Sequence, residues 1–159
     1  MPLGLEPELV PITQGRGLRV TPSEPLLLAV QAEPRHAALL QAILGRARYR
    51  LHVAGDLAQA RDWLAGSSPA LVLLDRHLPD GDGLDLIGTI RGSERLSDVP
   101  ILLVSASVLP RDQAAAIDAG CDGFLAKPVR VKPLVDEVRR LLKIEPSSAR
   151  VGAGPIMVR

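Results

Sequence analysis

The chain has 159 residues, a mass of 16.9 kDa and a formal net charge of +1 from 19 basic and 18 acidic residues. That length suits one domain with extensions, and so balanced a charge gives no indication of nucleic-acid binding. Aromatic residues form only 2% of the chain, so the core must be aliphatic, and stacking platforms for single strands are missing.

No apolar run approaches the ~20 residues that a membrane span needs, and the N-terminus lacks the basic and apolar blocks of a signal peptide. Cys121 is the single cysteine, so an intramolecular disulfide is excluded and a reducing cytoplasm is the expected location. We expect Cys121 to be a small buried side chain at a strand start rather than a reactive thiol.

Residues 1–25 and 144–159 are rich in proline and glycine, which forbids a long helix in either segment. We expect a flexible N-terminal extension and a flexible C-terminal tail on either side of one domain of residues 26–143. Scattered apolar residues in the first segment also allow a short strand or an arm docked on the domain.

The first half of the domain alternates strand and helix signals. Leu26–Val30 and Ala70–Leu74 are continuous apolar runs, which predict strands buried on both faces, and a weaker strand is predicted at Tyr49–Val53. Apolar residues at helical spacing predict one helix after Pro34 and another after Asp56, which suits an N-cap.

The second half continues the alternation. A helix is predicted after Gly83, a buried strand at Ile101–Val104, a helix at Ala114–Ala119 stopped by Gly120, a strand at Gly123–Ala126 and a last helix from Pro133 onward. Right-handed crossovers between these elements predict a doubly wound, five-stranded parallel sheet of order 2-1-3-4-5 with helices on both faces.

In such a sheet the functional crevice lies at the carboxyl ends of the strands, beside the switch point between the first and third strands. The side chains expected around this crevice, although far apart in sequence, are Gln31, Ala32, Asp75, Ser105, Lys127 and Pro128.

Three motifs carry a family resemblance. Asp75 is followed by Pro79 and then by Asp82-Gly83-Leu84, a strand begins at Val99-Pro100 and ends in Ser105-Ala106, and residues 119–128 read Ala-Gly-Cys-Asp-Gly-Phe-Leu-Ala-Lys-Pro. In this order and spacing they resemble the receiver domain of two-component response regulators over roughly residues 25–143. The resemblance implies a flavodoxin-like fold and a role in bacterial phosphorelay signalling.

The resemblance also implies roles for the residues of the site. Asp75 would be the phosphoacceptor, which attacks phosphorus and forms an acyl phosphate. Lys127 would pair with Asp75 at rest and with a phosphoryl oxygen afterwards. Ser105 would donate its hydroxyl to the phosphoryl group, Phe124 would be the aromatic switch or else a static core residue, and Pro128 would be the family's cis proline.

The sequence departs from the family at Gln31 and Ala32, where the family keeps two carboxylates that hold Mg²⁺. Magnesium prefers oxygen ligands that include one or two carboxylates. What remains is Asp75 and the backbone carbonyl of His77, so Mg²⁺ binding is expected to be weakened or lost, and a resting Asp75–Lys127 ion pair should form. We expect Glu33 to lie near the start of the first helix instead of at the metal.

Two functions of different classes stay open. The first is a single-domain receiver that is phosphorylated on Asp75 by a histidine kinase or phosphotransfer protein and is not itself an enzyme. The second is a pseudo-receiver, which works independently of phosphate through the face of helix 4, strand 5 and helix 5, with another signalling protein or a second copy of the chain as its partner. A basic stripe could contribute to such a docking surface or be an ordinary solvated face: Arg130, Lys132, Arg139, Arg140 and Lys143.

Two other classes with similar strand patterns are disfavoured. A flavodoxin needs small hydroxyl or glycine residues in its phosphate loop, and Gln31-Ala32-Glu33-Pro34 has none. An aspartate-nucleophile phosphatase needs a second acid two residues after the nucleophile, where this chain has His77.

Overall fold

The computed structural model describes residues 24–107 and 109–143. The expectations for the extension and the tail therefore lie outside the described residues, apart from Glu24 and Pro25. Among the described helices, none is long and apolar enough to cross a lipid bilayer.

Strands and helices follow one another almost without interruption. In chain order they are β1 (Leu26–Val30), α1 (Pro34–Arg46), β2 (Arg50–Ala54), α2 (Leu57–Gly66), β3 (Leu71–Asp75), β4 (His77–Leu78), β5 (Gly81–Asp82), α3 (Gly83–Arg91), β6 (Ile101–Ser105), α4 (Pro110–Ala119), β7 (Gly123–Ala126) and α5 (Val131–Lys143).

Five of the strands form one parallel sheet in the order β2-β1-β3-β6-β7. Counted within this sheet, the order is the predicted 2-1-3-4-5, and the fold prediction is confirmed. Because β1 and β3 are neighbours while the helices that follow them lead in opposite directions, the crevice at the switch point opens between the tips of these two strands.

The sheet separates two aliphatic cores. On one face, residues such as Leu28 and Leu74 pack with α2, α3 and α4. On the other, Leu27 and Leu73 pack with α1 and α5. The central strands are buried along their whole length, as parallel strands covered on both faces must be, and this packing fixes where their tips lie.

Local signals explain most helix boundaries. The carboxylate of Asp56 accepts a hydrogen bond from the Gln59 amide at the start of α2. Gly120 ends α4 with φ 111°, a left-handed conformation that favours glycine. The prediction placed the start of α4 too late, since the helix begins at Pro110, whose fixed φ suits a first helical position.

The sequence reading missed a small antiparallel hairpin made of β4 and β5. Its turn brings Asp80 to the start of α2, where the carboxylate accepts hydrogen bonds from the amides of Leu57 and Ala58 at 2.8 and 3.0 Å. The Leu57 amide, with help from that of Ala58, lowers the pKa of Asp80. The loop after β3 is therefore fastened to a neighbouring helix.

Candidate functional site

The centre of the candidate site is an ion pair between the tips of two strands. Asp75 ends β3 and is 6% exposed. Its Oδ2 lies 2.8 Å from Nζ of Lys127, which follows β7. The predicted resting ion pair is present. Its carboxylate and ammonium groups carry opposite charges that cancel, and the ammonium supplies one part of a site for an anion.

The backbone around Asp75 supports the same geometry. The amide of His77 donates to the second carboxylate oxygen, Oδ1, at 3.3 Å. Both oxygens of Asp75 therefore accept hydrogen bonds, one from an amine and one from an amide. These bonds fix the orientation of the carboxylate at the tip of β3.

Ser105 lies beside Lys127, because the Lys127 amide donates to the Ser105 carbonyl at 2.9 Å. The Ser105 side chain is buried at 1% exposure. Its Oγ accepts a hydrogen bond from the Ser107 amide at 3.2 Å. That bond uses the oxygen as acceptor and leaves the hydroxyl proton for another partner.

The tip of β1 carries an unexpected polar pair. Gln31 is 4% exposed, and its Nε2 lies 2.7 Å from Nδ1 of His36 in the first turn of α1. Burial lowers the pKa of His36, and the charge of Lys127 lowers it further, against the opposite effects of Asp75 and Glu33. The sequence reading missed His36, although its place five residues after Gln31 on the adjoining helix was a usable signal.

The donor set does not fit a magnesium ion of the family's kind. The side chain of Ala32 has no atom that can bind a metal, and the side-chain amide oxygen of Gln31 already accepts a hydrogen bond from the Glu33 amide at 3.1 Å. Glu33 itself caps α1 by accepting from the Arg35 amide, as expected for a residue at the helix start. Within residues 24–107 and 109–143, no group of three or more His, Cys, Asp or Glu side chains could hold a metal.

Phe124 is a residue of β7, and Pro128 follows Lys127 just beyond the end of that strand. The Phe124 ring is buried at 2% exposure in the core on the α2–α3–α4 side of the sheet. The peptide bond between Lys127 and Pro128 is cis. The ring of His77 is exposed, in keeping with a solvated histidine.

Arg76 was also missed. Its guanidinium lies 3.3 Å from Asp82 at the end of the hairpin and 3.4 Å from Asp112 in the first turn of α4. Asp112 in turn accepts a hydrogen bond from the Ser107 hydroxyl. Arg76 thus connects the loop after Asp75 with the loop after Ser105.

Gly83 shows why the site loop needs a residue without a side chain. Its amide donates to the Arg76 carbonyl at 2.7 Å. A Cβ at Gly83 would collide with the carbonyl oxygen of Asp75 and lie 3.2 Å from Cα of Arg76. The start of α3 therefore presses directly on the backbone of the candidate nucleophile.

Two further expectations concern residues outside the crevice. Cys121 is buried beside the start of β7, and burial raises the pKa of its thiol to about 12, which makes it a poor nucleophile.

In the basic stripe of α5, Lys132 pairs with Asp136 and Arg140 with Glu137 within the helix. Part of its charge is therefore neutralised locally, as on an ordinary solvated face.

Comparison with known proteins places this geometry in a family. Residues 27–139 match the family model of the response regulator receiver domain. The transcriptional regulatory protein BaeR of Escherichia coli is 32% identical over 126 residues, which cover 79% of this chain and 51% of BaeR. Response regulator Rre1 of Synechocystis is 31% identical over 133 residues, which cover 82% of this chain and 58% of Rre1. The chain spans about half the length of these curated relatives.

Solved structures give the same result. The receiver domain of a signal transduction histidine kinase from Syntrophus aciditrophicus matches with a TM-score of 0.70 and 28% identity, over 76% of this chain and 95% of that one. The receiver domain of a sensor histidine kinase from Pseudomonas aeruginosa matches with a TM-score of 0.71 and 27% identity, over 76% of this chain and 99% of that one. That second structure holds a magnesium ion coordinated in its active-site cleft.

Proposed function

This chain belongs to the response regulator receiver family, whose members are signalling modules of two-component systems, and we propose that it accepts a phosphoryl group on Asp75. The observation that carries the proposal is the ion pair of Asp75 and Lys127 at the tips of β3 and β7. In such a pair the buried carboxylate supplies the nucleophile and the amine supplies a cationic anchor for the incoming group.

The proposed transfer is a single displacement. A carboxylate oxygen of Asp75 attacks the phosphorus of a phosphohistidine or a small phosphoryl donor. A P–O bond to Asp75 forms and the bond from phosphorus to the donor breaks, which is P–N in phosphohistidine or phosphoramidate and P–O in acetyl phosphate. The donor nitrogen leaves with the electron pair and takes up a proton, whereas acetate leaves with the electron pair as the carboxylate. The product is an acyl phosphate with more negative charge than the carboxylate it replaces.

That added charge needs donors close to the phosphoryl oxygens. Lys127 can exchange its contact with Asp75 for one with a phosphoryl oxygen, because its amine sits on a flexible stem. The Ser105 hydroxyl is the second donor, and it would draw its loop towards the site. Motion of this loop is how we propose that phosphorylation reaches the face of α4, β7 and α5.

Magnesium has a reduced part in this proposal. At the tip of β1, Gln31 and Ala32 replace two carboxylates, and Asp75 is already neutralised by Lys127. The site therefore offers little negative charge to compensate a divalent cation for the water molecules that it loses on binding. We propose that Mg²⁺ binding is weakened or lost, and that the His77 carbonyl is at most an auxiliary ligand.

The second candidate function is a pseudo-receiver that signals without phosphate. The same loss of the acidic pair favours it, because the resting pair of Asp75 and Lys127 could be the permanent state. Receiver domains interact with histidine kinases or phosphotransfer proteins. In this alternative, a protein partner or a second copy would bind the face of α4, β7 and α5.

Phosphorylation by a small donor separates the two functions. We would incubate the protein with phosphoramidate or acetyl phosphate, with and without Mg²⁺, and read the mass of the intact protein. A gain of one phosphoryl group that is lost in Asp75→Asn supports the receiver. The matched control is Asp62→Asn, which changes an exposed acid on α2 and should be labelled like the parent.

A second readout uses beryllofluoride, an acyl phosphate mimic, and amide NMR. Shifts at Asp75, Ser105 and Lys127 support the receiver, whereas an unchanged spectrum together with an unlabelled protein supports the pseudo-receiver. Restoring the acids in Gln31→Asp with Ala32→Asp then identifies the cause. If only the restored protein is labelled, the loss of the acidic pair explains why the parent is not phosphorylated. If the restored protein is not labelled either, the assignment of Asp75 is wrong.

A further inference from the structure

In the hydrogen bond between Gln31 and His36, the neighbouring contacts identify which side chain donates and which accepts. The Oε1 atom of Gln31 accepts the Glu33 amide at 3.1 Å, and a backbone N–H can only donate. The amide group of Gln31 is therefore oriented with its oxygen towards Glu33 and its NH₂ towards His36, 2.7 Å from Nδ1.

An NH₂ group also only donates, so Nδ1 of His36 must be the acceptor. A neutral imidazole that accepts at Nδ1 carries its proton on Nε2. Nε2 makes no hydrogen bond to another residue of the described part of the chain. His36 thus presents a fixed N–H donor, and neither nitrogen is arranged as a metal ligand.

The place of this donor matters. His36 lies in the first turn of α1, directly after the tip of β1, and β1 is the neighbour of β3 in the sheet. The half-buried ring lies in the electrostatic field of both Lys127 and Asp75. In the family, the metal lies on the side of the crevice formed by the tip of β1. In this chain, that side carries a nitrogen donor instead.

We propose that the Nε2–H of His36, oriented by Gln31, donates to an oxygen of the phosphoryl group on Asp75 and makes phosphorylation of this receiver independent of a divalent cation. This inference rests on the proposed function of Asp75. His36 binds the phosphoryl oxygen directly, and Gln31 is a positioning residue. Together with Lys127 and Ser105, the ring gives the group a third donor without any metal.

The first test uses the unmodified protein and does not depend on phosphorylation. Long-range ¹H–¹⁵N NMR of the imidazole reports which nitrogen carries the proton. The proposal expects the Nε2–H form of His36 near neutral pH, and the Nδ1–H form would overturn it. In Gln31→Glu a carboxylate faces Nδ1 and should move the proton to Nδ1, whereas a purely structural role of Gln31 would leave the tautomer unchanged.

The second test is labelling by phosphoramidate in EDTA. His36→Gln keeps an N–H donor near the position of Nε2, while His36→Asn offers its amide only near the position of Nδ1. We expect His36→Asn to be labelled at least about tenfold more slowly than the parent and His36→Gln within about threefold of it. Thermal unfolding of both variants serves as the check that they fold.

The outcomes separate this inference from the function on which it rests. If the parent is labelled in EDTA and His36→Asn is labelled equally fast, His36 does not bind the phosphoryl group. If the parent is labelled only after Mg²⁺ is added, the inference is wrong while Asp75 remains the phosphoacceptor. If the folded parent is labelled under neither condition, the proposed function fails and this inference fails with it.

Discussion

The guanidinium of Arg76, the residue after Asp75, lies 3.4 Å from the carboxylate of Asp112 in the first turn of α4. Asp112 also accepts from the Ser107 hydroxyl, and the Ser107 amide donates to Ser105 Oγ at 3.2 Å. A chain of polar contacts therefore joins the two loops that flank the crevice. A movement of Ser105 towards a phosphoryl group would act directly on this chain of contacts.

This relationship predicts that Arg76→Met loosens the loop after β6. We expect hydrogen exchange at the Ser107 amide to become about two- to fivefold faster, which matches the modest free energy of a partly exposed ion pair. Arg139→Met, the same change at an exposed residue of α5, is the control and should leave that exchange rate unchanged. Equal rates in Arg76→Met and the parent would show that the contact does not restrain the loop.

Gly83 offers a prediction about packing against the candidate nucleophile. In Gly83→Ala the new Cβ collides with the Asp75 carbonyl oxygen, so the backbone of β3 or α3 must shift. Overpacking of this kind costs about 1–3 kcal/mol, measurable by urea unfolding, and it should also shift the Asp75 and Arg76 amide signals.

Gly88→Ala is the matched control within the same helix. Nothing lies within 4 Å of a Cβ at Gly88, and alanine in a helix is favoured over glycine by roughly 0.5–1 kcal/mol. The two substitutions should therefore move stability in opposite directions. A Gly83→Ala protein as stable as the parent would mean that α3 can move away from Asp75 without lowering the free energy of unfolding.

These residues also show where sequence reasoning succeeds and where it stops. The strand Leu26–Val30 was placed correctly because a continuous apolar run is a local signal of a buried parallel strand. The hairpin of β4 and β5 was not predicted because strands of two residues are too short to show a periodic pattern of apolar residues. Neither the ion pair of Arg76 with Asp112, 36 residues apart, nor the bond of Gln31 to His36 follows from any one segment.

The pH dependence of stability tests the environment of His36. Its pKa is lowered from an ordinary 6.5, first by burial and then by Lys127. The unfolded chain therefore takes up the proton first as the pH falls, so the stability that the neutral ring contributes is present above about pH 6.5 and is lost below it, towards the lower pKa of the folded state. NMR titration of the His36 ring should give a midpoint below 6.5.

The same prediction has a thermodynamic readout. Unfolding free energies at about pH 7.5 and about pH 5.5 should differ less in His36→Gln than in the parent, because glutamine does not titrate. A ring of His36 that titrates at or above its ordinary value would contradict the burial and the charge of Lys127 as the dominant influences.

The last prediction contrasts two ion pairs of different burial. Arg91 Nη2 lies 2.6 Å from Asp122, with side-chain exposures of 17% and 10%, and Asp122 also accepts from the Ile101 amide at 2.9 Å. Lys132 and Asp136 are 2.7 Å apart but 85% and 51% exposed. Removing a cationic partner costs more at a buried carboxylate than at an exposed one, which is solvated at once.

We therefore expect Arg91→Met to lower the free energy of unfolding by about 3 kcal/mol, and Lys132→Met to change it by less than about 1 kcal/mol. Both replacements exchange a long cationic side chain for an apolar one, but Arg91→Met also removes hydrogen bonds to the carbonyl oxygens of Ser97, Val99 and Gly120, so its larger loss reports the whole part-buried network around the guanidinium. Asp122 bonds the first residue of β6, the strand that ends at Ser105. Equal small losses in both variants would mean that solvent reaches Asp122 more freely than its exposure implies, and that the start of β6 does not depend on this pair.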